Sequence, residues 1–128
     1  MTHSVKTSRG LLPSAARSAS TASQIFTDSD ASALRLYLNI TVAPGGAGVA
    51  PVIRGYDKTS GGKVELTTGG TPASQVGTYA YEMCFAPDPA FGNIREAVSR
   101  PVPYQWDVIV KHFDGLSYTY SLSAEVVR

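Results

Sequence analysis

The pattern that most constrains the fold is a regular alternation of apolar and polar side chains. Leucine, isoleucine or valine occupies every even position from residue 34 to residue 42, and polar side chains or Tyr37 lie between them. Residues 116–126 alternate in the same way. A period of two is typical of a strand with one buried face, and no segment shows the 3.6-residue period of an amphipathic helix. The sequence therefore predicts an all-β protein.

Turn-forming residues divide the rest of the chain into short segments. A loop that contains Gly61 and Gly62 joins two of them, and the dipeptide Asp114-Gly115, which favours a tight hairpin, joins the last two. The predicted hairpin segments are 49–57 with 63–67 and 105–113 with 116–127. We expect an antiparallel β-sandwich or small barrel of seven to eight strands.

The first residues differ in composition from the rest. Residues 1–20 are rich in serine, threonine, alanine and glycine and show neither a strand nor a helix period. Such a segment buries too little apolar surface by itself to offset the entropy of ordering it. We therefore expect residues 1–20 to be an extended N-terminal arm and residues 21–128 to be a single β-sandwich domain, a size within the usual domain range.

Composition argues against several classes of function. The net charge is +1 and charged residues make up 16% of the chain, whereas a nucleic-acid-binding protein usually has a basic excess. The one cysteine rules out an intramolecular disulfide, and no apolar run is long enough for a membrane span or a secretory signal. We expect synthesis in the cytoplasm and no direct contact with nucleic acid or membrane.

The residues that usually carry chemistry form no recognisable motif. His3 and His112 have no cysteine at metal-ligand spacing, and a pair of His112 with Asp114 is explained better as the flank of a turn. Cys84 lies among aromatic residues, where an inert thiol is expected. A catalytic pair of carboxylates could be drawn from four residues, which are Glu65, Glu82, Asp107 and Glu125. Charges on exposed strand faces explain them better, so we predict no enzyme, no cofactor, no metal and no catalytic residue.

Several segments together resemble small structural proteins of tailed bacteriophages, in particular head decoration (cement) proteins. The resemblance covers residues 18–127, and its segments are Ala33-Leu34-Arg35-Leu36-Tyr37-Leu38, Val52-Ile53-Arg54-Gly55-Tyr56-Asp57 with Ser60-Gly61-Gly62-Lys63, Gly77-Thr78-Tyr79, Pro103-Tyr104-Gln105-Trp106 and the stretch from His112 to Ala124. It implies a virion protein that binds the outer surface of an assembled capsid and stabilises the head.

On this interpretation the partner is the major capsid protein, with other copies of the chain as a second partner, and a trimer would suit capsid three-fold positions. The arm would contact neighbouring subunits and gain affinity as it orders. The candidate contact residues are Lys6, Arg9, Leu11, Leu12, Arg17 and Tyr37. Two alternatives stay open, a tail or head–tail completion component and a carbohydrate-binding module that uses Trp106 and exposed tyrosines as a stacking platform.

Overall fold

The computed structural model describes residues 6–28, 31–84 and 94–128, and these residues form two packed β-sheets without a helix. The strands are β1 (Lys6–Arg17), β2 (Thr21–Ala22), β3 (Phe26–Thr27), β4 (Ala33–Val42), β5 (Val49–Tyr56), β6 (Lys63–Glu65), β7 (Gly77–Cys84), β8 (Ile94–Ser99), β9 (Gln105–His112) and β10 (Tyr118–Val127). No helix that could cross a membrane occurs in these ranges.

Sheet A has the strand order β1-β10-β4-β7-β8. Its neighbours are antiparallel except for β7 and β8, which run parallel. The prediction of an antiparallel β-sandwich is confirmed except at this edge, where one pair of strands is parallel. Parallel neighbours need a connection longer than a hairpin turn, and residues 85–93, which lie outside the described ranges, separate β7 from β8 in the sequence.

Sheet B has the order β2-β9-β5-β6, and β3 also pairs with β9. The predicted hairpin of residues 49–57 and 63–67 is confirmed, because β5 and β6 pair antiparallel across the glycine-containing loop. The two-residue strands β2 and β3 lie one after the other along β9 and together cover its free edge. The described strands form two open sheets, so the structure is a β-sandwich and not a closed barrel.

The core lies between the two sheets and is formed by alternate residues of the long strands. Leu36, Leu38 and Leu122 come from sheet A, and Trp106 and Val108 come from sheet B. These side chains are at most 1% exposed. Each buried apolar side chain contributes about 1.5–3 kcal/mol by leaving water, so the alternation seen in the sequence supplies the main driving force for the fold.

Residues 6–17 differ from the expected free arm, because they form the edge strand β1 of sheet A. Lys6 pairs with Val127 and Arg17 pairs with Tyr118, along the whole of β10. The register shifts between Gly10 and Leu12 and again between Leu12 and Ala15. A β-bulge adds a residue and reverses which side chains face inward, and this explains why the segment shows no period of two.

The predicted hairpin around Asp114-Gly115 was also wrong. The strands on either side, β9 and β10, lie in different sheets, so residues 113–117 cross from one layer of the sandwich to the other. Gly115 is not among the glycines with positive φ, as a two-residue type I′ hairpin would require. Both flanking strands alternate correctly, but an alternating pattern does not reveal which sheet a strand joins.

Buried or partly buried carboxylates connect the two sheets at both sides of the sandwich. On the β1 side, Asp28 receives hydrogen bonds from Arg9 of β1, from Arg128 and from the Trp106 Nε1 of β9, at 2.8, 2.7 and 2.9 Å. On the β8 side, Glu96 accepts from the backbone N–H groups of residues 68–70. Both sides of the core are thus closed by charge-assisted hydrogen bonds.

Candidate interaction surface

Four of the seven large apolar side chains that are exposed in the described residues lie at one end of the sandwich. They are Val42, Val76, Phe113 and Leu116, which are 46–64% exposed. We call this end, formed by the loops 18–20, 43–48, 74–76 and 113–117 and the strand termini beside them, the apolar end. Contiguous exposed apolar surface marks interaction sites in soluble proteins.

The strand register brings these four residues to the same end. Val42 pairs with Thr119 near the start of β10, and Val76 directly precedes Gly77, which pairs with Ile40. The other two belong to the 113–117 connection between the sheets. Residues that are up to 74 positions apart in the sequence, from 42 to 116, therefore share one surface.

Hydrogen bonds hold the 43–48 and 113–117 loops together. Asp114 accepts from the backbone N–H groups of Ala47 and Leu116 at 2.6 and 3.0 Å and from the hydroxyl of Tyr118 at 2.9 Å. The same Tyr118 hydroxyl accepts from the buried N–H of Gly48 at 2.9 Å. This network orders the loops before any partner arrives, which lowers the entropic cost of binding.

Two glycines allow this close approach. A Cβ at Gly46 would lie 2.1 Å from Asp114 Oδ2 and 2.7 Å from a methyl group of Leu116, so a side chain there would displace both from the positions they hold. Gly48 has a φ of 102°, which side chains with a Cβ rarely adopt. The glycine-rich sequence of residues 43–48 is therefore a requirement of the loop packing.

The apolar end carries almost no charge. Its loops and the residues that flank them contain one cation, Arg17, and one anion, Asp114. Arg17 donates to the carbonyl oxygens of Ala15, Pro13 and Tyr120. Partial desolvation by itself would raise the pKa of Asp114, but hydrogen bonds from backbone N–H groups and from Tyr118 lower it. Both charges are thus held in place by the domain itself.

His112 lies beneath this surface, packed against tyrosines. Its Nε2 is 2.9 Å from the Tyr120 hydroxyl, and its ring meets that of Tyr118 edge-on. Its buried Nδ1 has no hydrogen-bond partner among the described residues. Burial lowers the pKa of His112, the nearby Arg17 lowers it further, and Asp114 only partly opposes this. The arrangement favours a neutral aromatic ring with a packing role.

Most of the candidate contact residues in residues 1–20 already contact other parts of the domain. Leu11 and Leu12 belong to the core and are each 8% exposed, so they offer little surface to a partner. Arg9 forms an ion pair with Asp28 and lies over the ring of Phe26. Lys6 begins β1, and its side chain lies outside the described part of the structure.

Arg17 and Tyr37 complete the candidate set, and the structure does not bring the six residues together. Arg17 lies over the ring of Tyr120 at the apolar end. Tyr37 is half-buried on the outer face of sheet A, where its hydroxyl donates to Glu125 at 3.2 Å. Trp106 is fully buried and donates to Asp28, so the expected stacking platform on Trp106 was wrong.

The carboxylates considered for catalysis each have a separate partner. Asp107 receives two hydrogen bonds from Arg54 and one from Lys63, and Glu65 pairs with Lys111. Two others lie on the outer face of sheet A, where Glu82 pairs with Arg35 and Glu125 accepts from Tyr37. Burial alone would raise the pKa of Asp107, but its two cationic partners lower it. Within the described ranges, no group of three or more potential ligands could hold a metal ion.

Sequence reasoning missed the four residues of the apolar end. Phe113 and Leu116 flank a predicted turn, and an apolar residue on each side of a turn is the signal that could have identified them. Comparison with known proteins does not assign the surface, because no protein-family profile and no curated protein sequence matches the chain.

Proposed function

We propose that the protein is a non-enzymatic structural protein of a tailed-bacteriophage virion, which binds the outer capsid surface and stabilises the head. The observation that supports this proposal is the apolar end, an ordered and nearly uncharged surface on a compact β-sandwich. Its partner is an assembled surface of the major capsid protein.

The low charge and the preformed order of the apolar end favour binding through apolar contact. A surface with its single cation and single anion already bonded internally gains affinity from apolar contact, not from charge pairing. A few fully desolvated residues near the centre of an interface carry most of its binding energy. Because residues 6–17 form strand β1 of sheet A, we assign the contact with the capsid to the apolar end and not to a free arm.

The test is localisation on intact particles. Gold-labelled antibody against the protein should bind the heads of purified virions of the phage that encodes the chain. Each head should carry many gold particles. Labelling confined to the tail or the head–tail junction would support the alternative of a tail or completion component and would overturn capsid decoration. Virions without any label would overturn both.

A binding assay on phage heads that have been stripped of the protein tests whether the apolar end makes the contact. The double substitution Phe113→Ser and Leu116→Ser should weaken binding of the recombinant protein about tenfold or more. Val64→Ser is the matched control, because Val64 is at least as exposed as Phe113 and Leu116 but lies on β6, away from the apolar end. Equal binding by the double variant and the control would show that the head contacts another surface.

A further inference from the structure

The outer face of sheet A includes three adjacent rows of mostly polar side chains across the strands. The register places Ser121, Asn39 and Thr78 in one row and Ser123, Tyr37 and Ala80 in the next. The third row contains Glu125, Arg35 and Glu82. Directly opposed residues on antiparallel strands have their Cβ atoms about 4.5–5.5 Å apart, so the three rows form one continuous surface.

Tyr37 is the one large side chain in the middle row. Its neighbours are small, with Ser123 and then Gly10 on one side and Ala80 on the other. Its hydroxyl donates to Glu125, and a hydrogen bond also links it with Arg35. An aromatic side chain that is anchored at its hydroxyl keeps a defined ring orientation, and this is the property that a stacking platform needs.

The polar groups beside Tyr37 are neutral and can both donate and accept hydrogen bonds. The hydroxyl of Thr78 donates to Asn39 Oδ1 at 3.2 Å, which leaves the amide N–H groups of Asn39 available to a ligand. Asn39, Thr78 and Ser123 are all exposed. Hydroxyls and an amide next to an aromatic ring are complementary to a sugar, which has an apolar C–H face and a rim of hydroxyls.

The charged row determines which kind of sugar fits. Arg35 pairs with Glu82 at 3.3 Å, and burial alone would lower the pKa of Arg35, but Tyr37 and Glu82 raise it. The one cation is therefore held by the domain, and the row has two carboxylates against it. An anionic ligand would meet net negative charge, so the surface favours a neutral one.

We propose that the outer face of sheet A binds a neutral oligosaccharide, with Tyr37 as the stacking platform and Asn39, Thr78 and Ser123 as hydrogen-bonding groups. This site is separate from the apolar end and leaves that end free for a protein partner. The proposal does not depend on the proposed function, because it concerns the isolated domain.

The test is a titration of the isolated protein, followed by NMR, with neutral cello-, xylo-, malto- and chito-oligosaccharides. At least one of these probes should shift the resonances of Tyr37, Asn39 and Ser123. Tyr37→Ala should reduce the affinity about tenfold or more, while Tyr37→Phe should retain most of it. Tyr104→Ala is the control, because Tyr104 is also exposed but directly precedes β9 of sheet B and is not part of sheet A.

Two results of the titration with the wild-type protein would overturn the proposal. The first is the absence of shifts with every neutral probe, or shifts confined to other surfaces. The second is tighter binding of a sulfated oligosaccharide than of any neutral one. Asn39→Ala, at an exposed position, replaces Tyr37→Ala if the latter fails to fold, and unchanged affinity of this variant would also contradict the proposed site.

Discussion

The hydroxyl of Tyr118 donates a hydrogen bond to Asp114 at 2.9 Å and, at the same distance, accepts one from the buried N–H of Gly48. One side-chain oxygen thereby joins the start of β10 to the 43–48 and 113–117 loops of the apolar end. The contacts that stabilise the folded domain therefore also order the loop that carries Phe113 and Leu116.

Removal of this hydroxyl should destabilise the domain. Tyr118→Phe keeps the buried ring but leaves the N–H of Gly48 without an acceptor, and an unsatisfied buried group costs about 1–3 kcal/mol. Urea denaturation should show a free energy of unfolding lower by this amount. Tyr104→Phe, at an exposed position, should leave stability unchanged. Equal stability of both variants would show that the network contributes little.

Asp28 should be among the most sensitive positions in the chain. Asp28→Ala leaves Arg9, Arg128 and the Trp106 N–H without their common acceptor. Breaking a buried ion pair from one side costs about 3–5 kcal/mol. Glu65→Ala is the contrast, because it breaks a half-exposed pair with Lys111 and should cost about 1 kcal/mol or less. Similar losses in the two variants would contradict the role of Asp28.

Asp28 and Asp107 together should make the fold sensitive to acid. Although burial opposes ionisation, cationic and hydrogen-bonding partners lower the pKa of both carboxyls below the ordinary value of 3.8. Their stabilising contribution is therefore complete above pH 3.8 and is lost as the pH falls through their lowered folded-state pKa. Denaturation at a series of acidic pH values should show this loss. Asp107→Asn should reduce the slope, and an unchanged slope would contradict the prediction.

His112 should produce a separate loss of stability at a higher pH than the carboxyls do. Because burial lowers its pKa below the ordinary value of 6.5, the unfolded chain takes up a proton more readily than the folded one. Stability should therefore be constant above pH 6.5 with respect to this group and should decrease as the pH falls below it. His112→Gln should flatten this part of the profile. An unaltered profile in this variant would assign the loss to another group.

The first segment should be necessary for folding. Leu12→Ala removes a buried side chain of β1 and should cost about 2–5 kcal/mol. Ser14→Ala, at an exposed position of the same strand, should change stability by about 0.5 kcal/mol or less. Deletion of residues 1–17 should unfold the domain, as measured by loss of the cooperative denaturation transition. A truncated chain with the wild-type transition would show that β1 is dispensable.

The sequence contained enough information for the fold class and for the strands with a regular pattern. β4 and β10 were predictable because their inward side chains alternate without interruption. β1 was not, since its bulges place both Leu11 and Leu12 in the core and remove the period. The turn between β9 and β10 was misjudged because burial against the opposite sheet produces the same alternation as hairpin pairing.

The candidate surfaces were harder to predict from the sequence than the strands were. The apolar end depends on strand register, which brings Val42 and Val76 beside a connection that lies far away in sequence. Tyr37 could be placed on the outer face from alternation alone, whereas its bond to Glu125 depends on the pairing of β4 with β10. Contacts between distant strands are set by topology, and local patterns carry no record of it.

The pairing of β1 with β10 also has a consequence for the time at which the protein can fold. During translation, Lys6 emerges from the ribosome long before its pairing partner Val127. Until residues 118–127 appear, Leu11 and Leu12 have no sheet to join and stay exposed on the nascent polypeptide. Strand pairings between distant parts of a chain slow folding, so sheet A is complete only after synthesis of β10, which leaves an interval during which a chaperone could bind.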